Sequence, residues 1–217
     1  MSSMAAAAKG SLTPTRLYLV RHGQVADGHT DRYHGNNDVG LSPNGVQQLE
    51  ELAAQLGAVP LAGVYASDLS RALTGAEIIS RGRKVAPQII PEFREVHFGA
   101  WEGLSFTEIA ERYPAELEAR FRDLTSFRIP GGESLLDVNS RVLPRLGDLI
   151  AQHHQEAFLI VAHAGVNRVI LSQALGLSLD YLFRLDQNYG CLNVIDYFPD
   201  MAVVRLINGG VNGVAAG

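Results

Sequence analysis

The chain has 217 residues, 47% of them hydrophobic and 19% charged, which is the composition of a folded domain and excludes wholesale disorder. Eighteen basic against 23 acidic residues give a net charge of −5, so a broad basic surface for nucleic acid is excluded and only a local basic pocket remains open. The single cysteine, Cys191, excludes an internal disulfide framework and a multi-cysteine zinc site and fits a reducing compartment.

Residues 1–15 lack the leucine-rich stretch of a signal peptide and read as a flexible tail. No apolar run approaches the roughly 20 residues that cross a bilayer, so a soluble, cytoplasmic protein without a membrane partner is expected. One catalytic domain is expected over 16–207. Arg16-Leu17-Tyr18-Leu19-Val20 predicts a first strand, followed by a Gly-rich loop from Gly23 to Gly40. Ser42-Pro43 then predicts an N-cap and first helical residue, with Val46, Leu49, Leu52, Ala53 and Leu56 as the apolar stripe. Gly63 to Ser67 reads as a second strand and Leu69 or Ser70 to Ile79 as a helix, with a third strand over 85–90.

Residues 91–130 break this rhythm with aromatics and short helical stretches, including a capping box from Ser105 to Glu108, and are expected as a lid-like insertion. A long helix over 134–153 follows, with Pro144 predicted to kink it. Ala157 to Val161 is the strongest strand signal, and a helix runs from Gly165 to Leu175. Cys191–Tyr197 and Met201–Ile207 read as a closing hairpin turning at Pro199-Asp200, before a second flexible tail over 208–217. The alternation predicts an α/β fold: a mostly parallel sheet between helical layers, a three-layer sandwich.

Chemistry concentrates after three strands. Arg21-His22-Gly23 follows the first, Ser67 to Arg71 the second, and His163-Ala164-Gly165 the strongest. If these strands are parallel, two arginines, two histidines and two helix amino ends converge beyond their carboxyl ends, where ligands of open α/β sheets sit. Such a group in a chain of net negative charge describes a phosphate pocket.

The same residues carry a family resemblance. Leu19-Val20-Arg21-His22-Gly23-Gln24, Ser67-Asp68-Leu69-Ser70-Arg71-Ala72, Glu95-Val96-His97-Phe98-Gly99-Ala100-Trp101-Glu102-Gly103, Pro130-Gly131-Gly132-Glu133-Ser134 and Val161-Ala162-His163-Ala164-Gly165 stand in order between residues 16 and 197. In this the chain resembles the phosphoglycerate mutase-like branch of the histidine phosphatase superfamily, and its Phe-Gly-Ala-Trp-Glu-Gly and Gly-Gly-Glu-Ser pair looks like the alpha-ribazole phosphatase type. The resemblance implies a phosphoglycerate mutase-like sandwich with the helical insertion over the active site. It also implies His22 as nucleophile, Glu95 as general acid, and Arg21, Arg71 and His163 around the phosphoryl oxygens. The Gly23 carbonyl would hold a proton of the His22 ring, the Ala164 N–H would add a donor, and Gln24 is carried along among the substrate-binding residues. The expected activity is hydrolysis of a small phosphomonoester, alpha-ribazole phosphate among the candidates, with no cofactor and no metal.

Alternatives stay open at this stage. A phosphoglycerate mutase would pass the phosphoryl group to a hydroxyl, although the basic segment that grips a substrate carboxylate is not identifiable. A metal hydrolase could use His22, His163 and a carboxylate, against the repulsion of Arg21 and Arg71. A non-catalytic phosphate-binding relative would keep the fold. Where many relatives carry an extra Asn the chain has Gly28, for which His29 or Thr30 could substitute; Glu133 could reach the pocket or merely favour a helix start, and the apolar closing segment offers an edge for a homodimer.

Overall fold

The computed structural model describes residues 13–26 and 32–210. Its single sheet has the order β3-β2-β4-β1-β5-β6. Strands β1 (Thr15–Arg21), β2 (Gly63–Ala66), β3 (Pro87–Ile89) and β4 (Ala157–Ala162) run parallel, while β5 (Leu192–Tyr197) and β6 (Ala202–Gly209) form an antiparallel hairpin on the β1 side. The sheet takes in Thr15 at one end and Asn208 and Gly209 at the other, which the sequence reading leaves to the tails. Residues 1–12 and 211–217 of the expected tails lie outside the described residues.

Both faces of the sheet are covered because side chains of a strand alternate between its faces. Leu17, Leu19, Phe158 and Ile160 pack on one side with residues of α5 (Leu135–Gln152) and α6 (Ala164–Leu175). Tyr18, Val20, Val64, Leu159 and Val161 pack on the other with α1 (Pro43–Gln55) and α2 (Ser70–Ser80). The result is the three-layer sandwich expected from the alternation.

Local signals place the helices. The Ser42 hydroxyl accepts from the Gly45 N–H and Pro43 opens α1. Ser134 and Asp137 form a capping box at the start of α5, which continues through Pro144 to Gln152. Gly176, in the left-handed region at φ +63°, ends α6. The 91–130 segment holds two short 3₁₀ turns, α3 (Phe106–Arg112) and α4 (Pro114–Arg122), and the Ser105–Glu108 capping box opens α3 as expected. Its side chains make a small core of their own around Trp101, Ile109 and Ile129. Among the described residues, no helix is long and apolar enough to cross a membrane.

Register does the remaining work. Arg21 lies opposite Ala162 in the β1–β4 pair, and Ala66 opposite Val161 in the β2–β4 pair. The residues that follow, His22, Ser67 and His163, therefore emerge at one edge of the sheet. Because β5 runs antiparallel, the loop entering it reaches the same edge.

Candidate active site

His22 is fixed by bonds from both directions. Its N–H donates to the Ala162 carbonyl at 3.1 Å, and its Nδ1 lies 2.8 Å from the Gly23 carbonyl. A carbonyl only accepts, so Nδ1 carries the hydrogen and Nε2 keeps its lone pair. The ring is 5% exposed, and burial together with the nearby Arg21 and Arg71 charges pulls its pKa well below the ordinary 6.5. His22 is thus a neutral imidazole of defined tautomer. Gly23 must be glycine, since a Cβ would lie 2.2 Å from the Gly45 carbonyl oxygen in the first turn of α1.

Around it stand the expected cations. Arg71, in the first turn of α2, is fully enclosed and donates to the carbonyls of Asn37 at 2.8 Å and Gly35 at 2.6 Å. The Arg21 guanidinium bonds to the Gln187 carbonyl and lies 3.8 Å above the Tyr189 ring. His163, buried at the amino end of α6, has its ring centroid 5.1 Å from that of His22. Its Nε2 is 2.7 Å from the Ser67 hydroxyl, while Nδ1 has no partner among the described residues. With the serine donating, Nδ1 carries the hydrogen and is a buried donor that an anionic oxygen would satisfy.

Both histidines are held neutral, and a stability prediction follows. Burial pulls the His163 pKa well below 6.5, with Arg71, His22 and Arg21 adding to it. Below pH 6.5 the unfolded chain protonates both imidazoles while the folded protein does not, so stability falls as pH falls, by up to about 1.4 kcal/mol per pH unit for each histidine. Urea midpoints between pH 7.5 and 5 in phosphate-free buffer should show a shallower slope for His163→Gln than for the parent protein. An identical slope would mean that His163 titrates in the native state as it does in the unfolded chain.

Glu95 completes the ring from the insertion side. It is 9% exposed, and its two carboxylate oxygens lie 3.1 and 3.2 Å from the Gly165 N–H in the first turn of α6. Gly165 is tight against it: a Cβ there would stand 2.5 Å from the Glu95 carboxylate. Glu133 explains how the Glu95 segment is held. Its carboxylate takes the Arg141 fork at 2.8 and 2.9 Å, and Arg141 also donates to the Glu95 carbonyl at 3.1 Å. Glu133 is therefore a positioning group, neither a pocket residue nor only a helix-start charge. Glu102 likewise holds backbone, accepting from Asn36 N–H at 2.8 Å and Phe98 N–H at 3.2 Å.

Arg21, His22, Arg71 and Glu95 line one small cavity of about 80 Å³ together with Arg32, Tyr33, His34, Gly35, Phe98 and Tyr189. Ala164, the first residue of α6, lies beside it in the wall of the neighbouring chamber. Gln24 is a correction. Its side-chain oxygen accepts from Ser42 at 3.1 Å and Asn44 at 2.9 Å, so it braces the start of α1 and does not line the cavity. Gly28, His29 and Thr30 lie outside the described residues. His34, in the loop between β1 and α1, also lines the cavity. Tyr189 was not foreseen, although the antiparallel direction of β5 brings its leading loop to this edge. Among the described residues, no group of three or more His, Cys, Asp and Glu side chains is placed to hold a metal ion.

Tyr33, Glu95 and Phe98 also belong to a second, larger cavity of about 480 Å³. Its walls come mainly from the insertion, with Trp101, Phe106, Ile109, Leu117 and Phe121, and it is closed on the other side by α6 and Phe183. A compact cationic pocket thus adjoins an aromatic chamber, with a carboxylate in the wall of both.

This arrangement has known counterparts. A bifunctional protein of Mycobacterium tuberculosis is 36% identical over 198 residues, which cover 90% of this chain and 54% of that protein; the chain spans about half the length of the first curated relatives it matches. A metal-independent phosphoserine phosphatase of Arabidopsis thaliana is 32% identical over 202 residues, covering 87% of this chain and 82% of the relative. The crystal structure of the alpha-ribazole phosphatase from Shigella flexneri superposes with a TM-score of 0.84 at 27% identity, over 93% of this chain and 100% of that one. The family model of the histidine phosphatase superfamily (branch 1) matches residues 17–209, and the chain belongs to that superfamily.

Proposed function

We propose that the protein is a metal-independent phosphomonoesterase acting through a phosphohistidine at His22. The observation that carries this reading is the buried, neutral His22 ring, its Nδ1 proton committed to the Gly23 carbonyl, standing beside two arginines. Its Nε2 lone pair is free to attack phosphorus in line. The N–P bond forms as the P–O bond to the leaving group breaks, and the leaving oxygen takes a proton from Glu95 in its acid form. Arg21, Arg71 and the Nδ1–H of His163 bear the charge on the equatorial oxygens in this account. Water then attacks the phosphohistidine, giving its proton to Glu95; the N–P bond breaks, inorganic phosphate leaves and His22 returns to its neutral form.

The relatives named for phosphoserine and alpha-ribazole phosphate differ in the size of the leaving group. A chamber of about 480 Å³ walled by aromatic rings supports a bulky, largely apolar leaving group over the side chain of serine, and makes alpha-ribazole phosphate the reference compound. Rapid quench with a phosphorus-labelled aryl phosphate should trap an acid-labile, base-stable phosphoenzyme, with the label on the peptide that contains His22. The same turnover should persist in excess EDTA. Label on a serine, or loss of activity on chelation restored by one divalent metal, would replace this reading with a metal-dependent or serine-based one.

A further inference from the structure

Three arginines that the proposed chemistry does not use line the aromatic chamber, and one of them stands apart. Arg120, on α4, is 8% exposed and lines the chamber. Its guanidinium carbon lies 5.9 Å from the centre of the Trp101 ring. Among the described residues no carboxylate pairs with it, and its Nη1 has no hydrogen-bond acceptor. The indole Nε1 of Trp101 in the same wall also has none.

The neighbouring arginines are different. Arg71 is satisfied by two carbonyls and Arg141 by Glu133. Arg168 donates to the Leu185 carbonyl, and Arg122 at the rim pairs with Glu118. A guanidinium enclosed by aromatic rings without a counter-ion is costly, and burial pulls its pKa down. A methionine would fill the same space without that cost.

We propose that Arg120 forms an anion subsite that reads a carboxylate on the leaving group of the substrate, as the phosphoryl group sits on His22. This deepens the phosphatase reading and rests on it. The two cavities are neighbours, since Tyr33, Glu95 and Phe98 line both. A carboxylate fits better than a second phosphate: the phosphoryl pocket gathers Arg21, Arg71 and two histidines, whereas of the three arginines in this wall Arg122 is paired with Glu118 and Arg168 is held by the Leu185 carbonyl, which leaves the planar fork of Arg120. The substrate class is therefore a phosphomonoester whose leaving alcohol has an apolar body and a carboxylate.

The test is a matched pair, 4-(2-carboxyethyl)phenyl phosphate and its methyl ester, whose phenolic leaving groups are nearly equal in basicity. The parent protein should prefer the acid by about 10–100-fold in kcat/KM, chiefly through KM, as for a charged hydrogen bond. Arg120→Met should bring the ratio close to one, and Arg120→Lys should keep part of it. Arg120→Met should also melt higher than the parent, whereas a purely structural arginine would make it melt lower. Equal rates on the pair in the parent protein, or an unchanged ratio in Arg120→Met, would overturn the subsite and leave the phosphatase reading intact. Calorimetric binding of 3-(4-hydroxyphenyl)propionate reads the subsite without turnover and should weaken about tenfold or more in Arg120→Met. If that loss is seen while neither phosphate ester is hydrolysed, the subsite stands and the phosphatase reading falls; equal binding to both proteins sinks the subsite.

Discussion

His22→Ala is expected to lower turnover of every phosphomonoester by roughly 10⁴–10⁶-fold, the range found when a nucleophile is removed from a working site. The size follows from the surroundings. His163 is the other imidazole, but its Nε2 is engaged by Ser67 and its ring is fully buried behind the pocket, so it cannot take over the attack. The fold should survive, because the lost ring makes one side-chain hydrogen bond among the described residues, to the carbonyl of the next residue, while the backbone bond to Ala162 remains. Far-ultraviolet dichroism and the melting temperature check that point. Added imidazole offers a sharper test: it can enter the space left by the ring and accept the phosphoryl group, so free phosphoimidazole should accumulate. A variant keeping more than about one part in a hundred of parental kcat, with a label still on protein, would move the nucleophile elsewhere. The same geometry fixes a pH expectation. Burial and two arginines hold the His22 pKa well below 6.5, so its protonation limits kcat/KM only on the acid side of that value.

Much of this site was legible in the order of the residues, for a physical reason. Residues at the carboxyl ends of parallel strands are brought together by register, so Arg21, His22 and His163 could be placed from three short apolar runs. Arg71 followed because a helix must start where its strand ends. Gln24 failed because adjacency in sequence does not set the direction of a side chain, and the cap of α1 competes for its amide. Glu133 was ambiguous for the same reason; its partner, Arg141, lies two helical turns along α5, and nothing local distinguishes that pair from solvent exposure. Tyr189 and the Gln187–Asn193 amide pair beneath Arg21 come from the antiparallel edge. The chamber was the least legible part, since its walls come from α3, α4 and α6, far apart in the sequence, and not from a periodic signal.

The second large effect concerns Glu95 and depends on the leaving group. An alkyl alkoxide is a poor leaving group unless protonated, whereas p-nitrophenolate departs unaided, so an acid contributes roughly 10²–10⁴-fold only to the former. Glu95→Gln keeps the shape and can still accept from the Gly165 N–H, but it cannot deliver the proton. Phosphorylation of His22 by an alkyl phosphate should therefore slow by that factor, with p-nitrophenyl phosphate much less affected. Dephosphorylation should slow for both, because the same carboxylate receives the proton of the attacking water, so a burst of p-nitrophenol should appear in the variant. Gly165→Ala offers a second approach that keeps the carboxylate but displaces it, since the new Cβ would stand 2.5 Å from its oxygen and 2.7 Å from Val96 Cγ2. A displacement on the order of 1 Å costs about 10²-fold, and the loss should again be greater with the alkyl substrate. Pre-steady-state phosphorylation with both substrates resolves the two steps. Equal losses on alkyl and aryl phosphates would show that Glu95 does not protonate the leaving oxygen. Since Glu133 is tied to Arg141 and Glu102 to the 36 and 98 N–H groups, the proton would then have to come from another group of the cavity, such as Tyr33 or His34, or from the substrate's own phosphate.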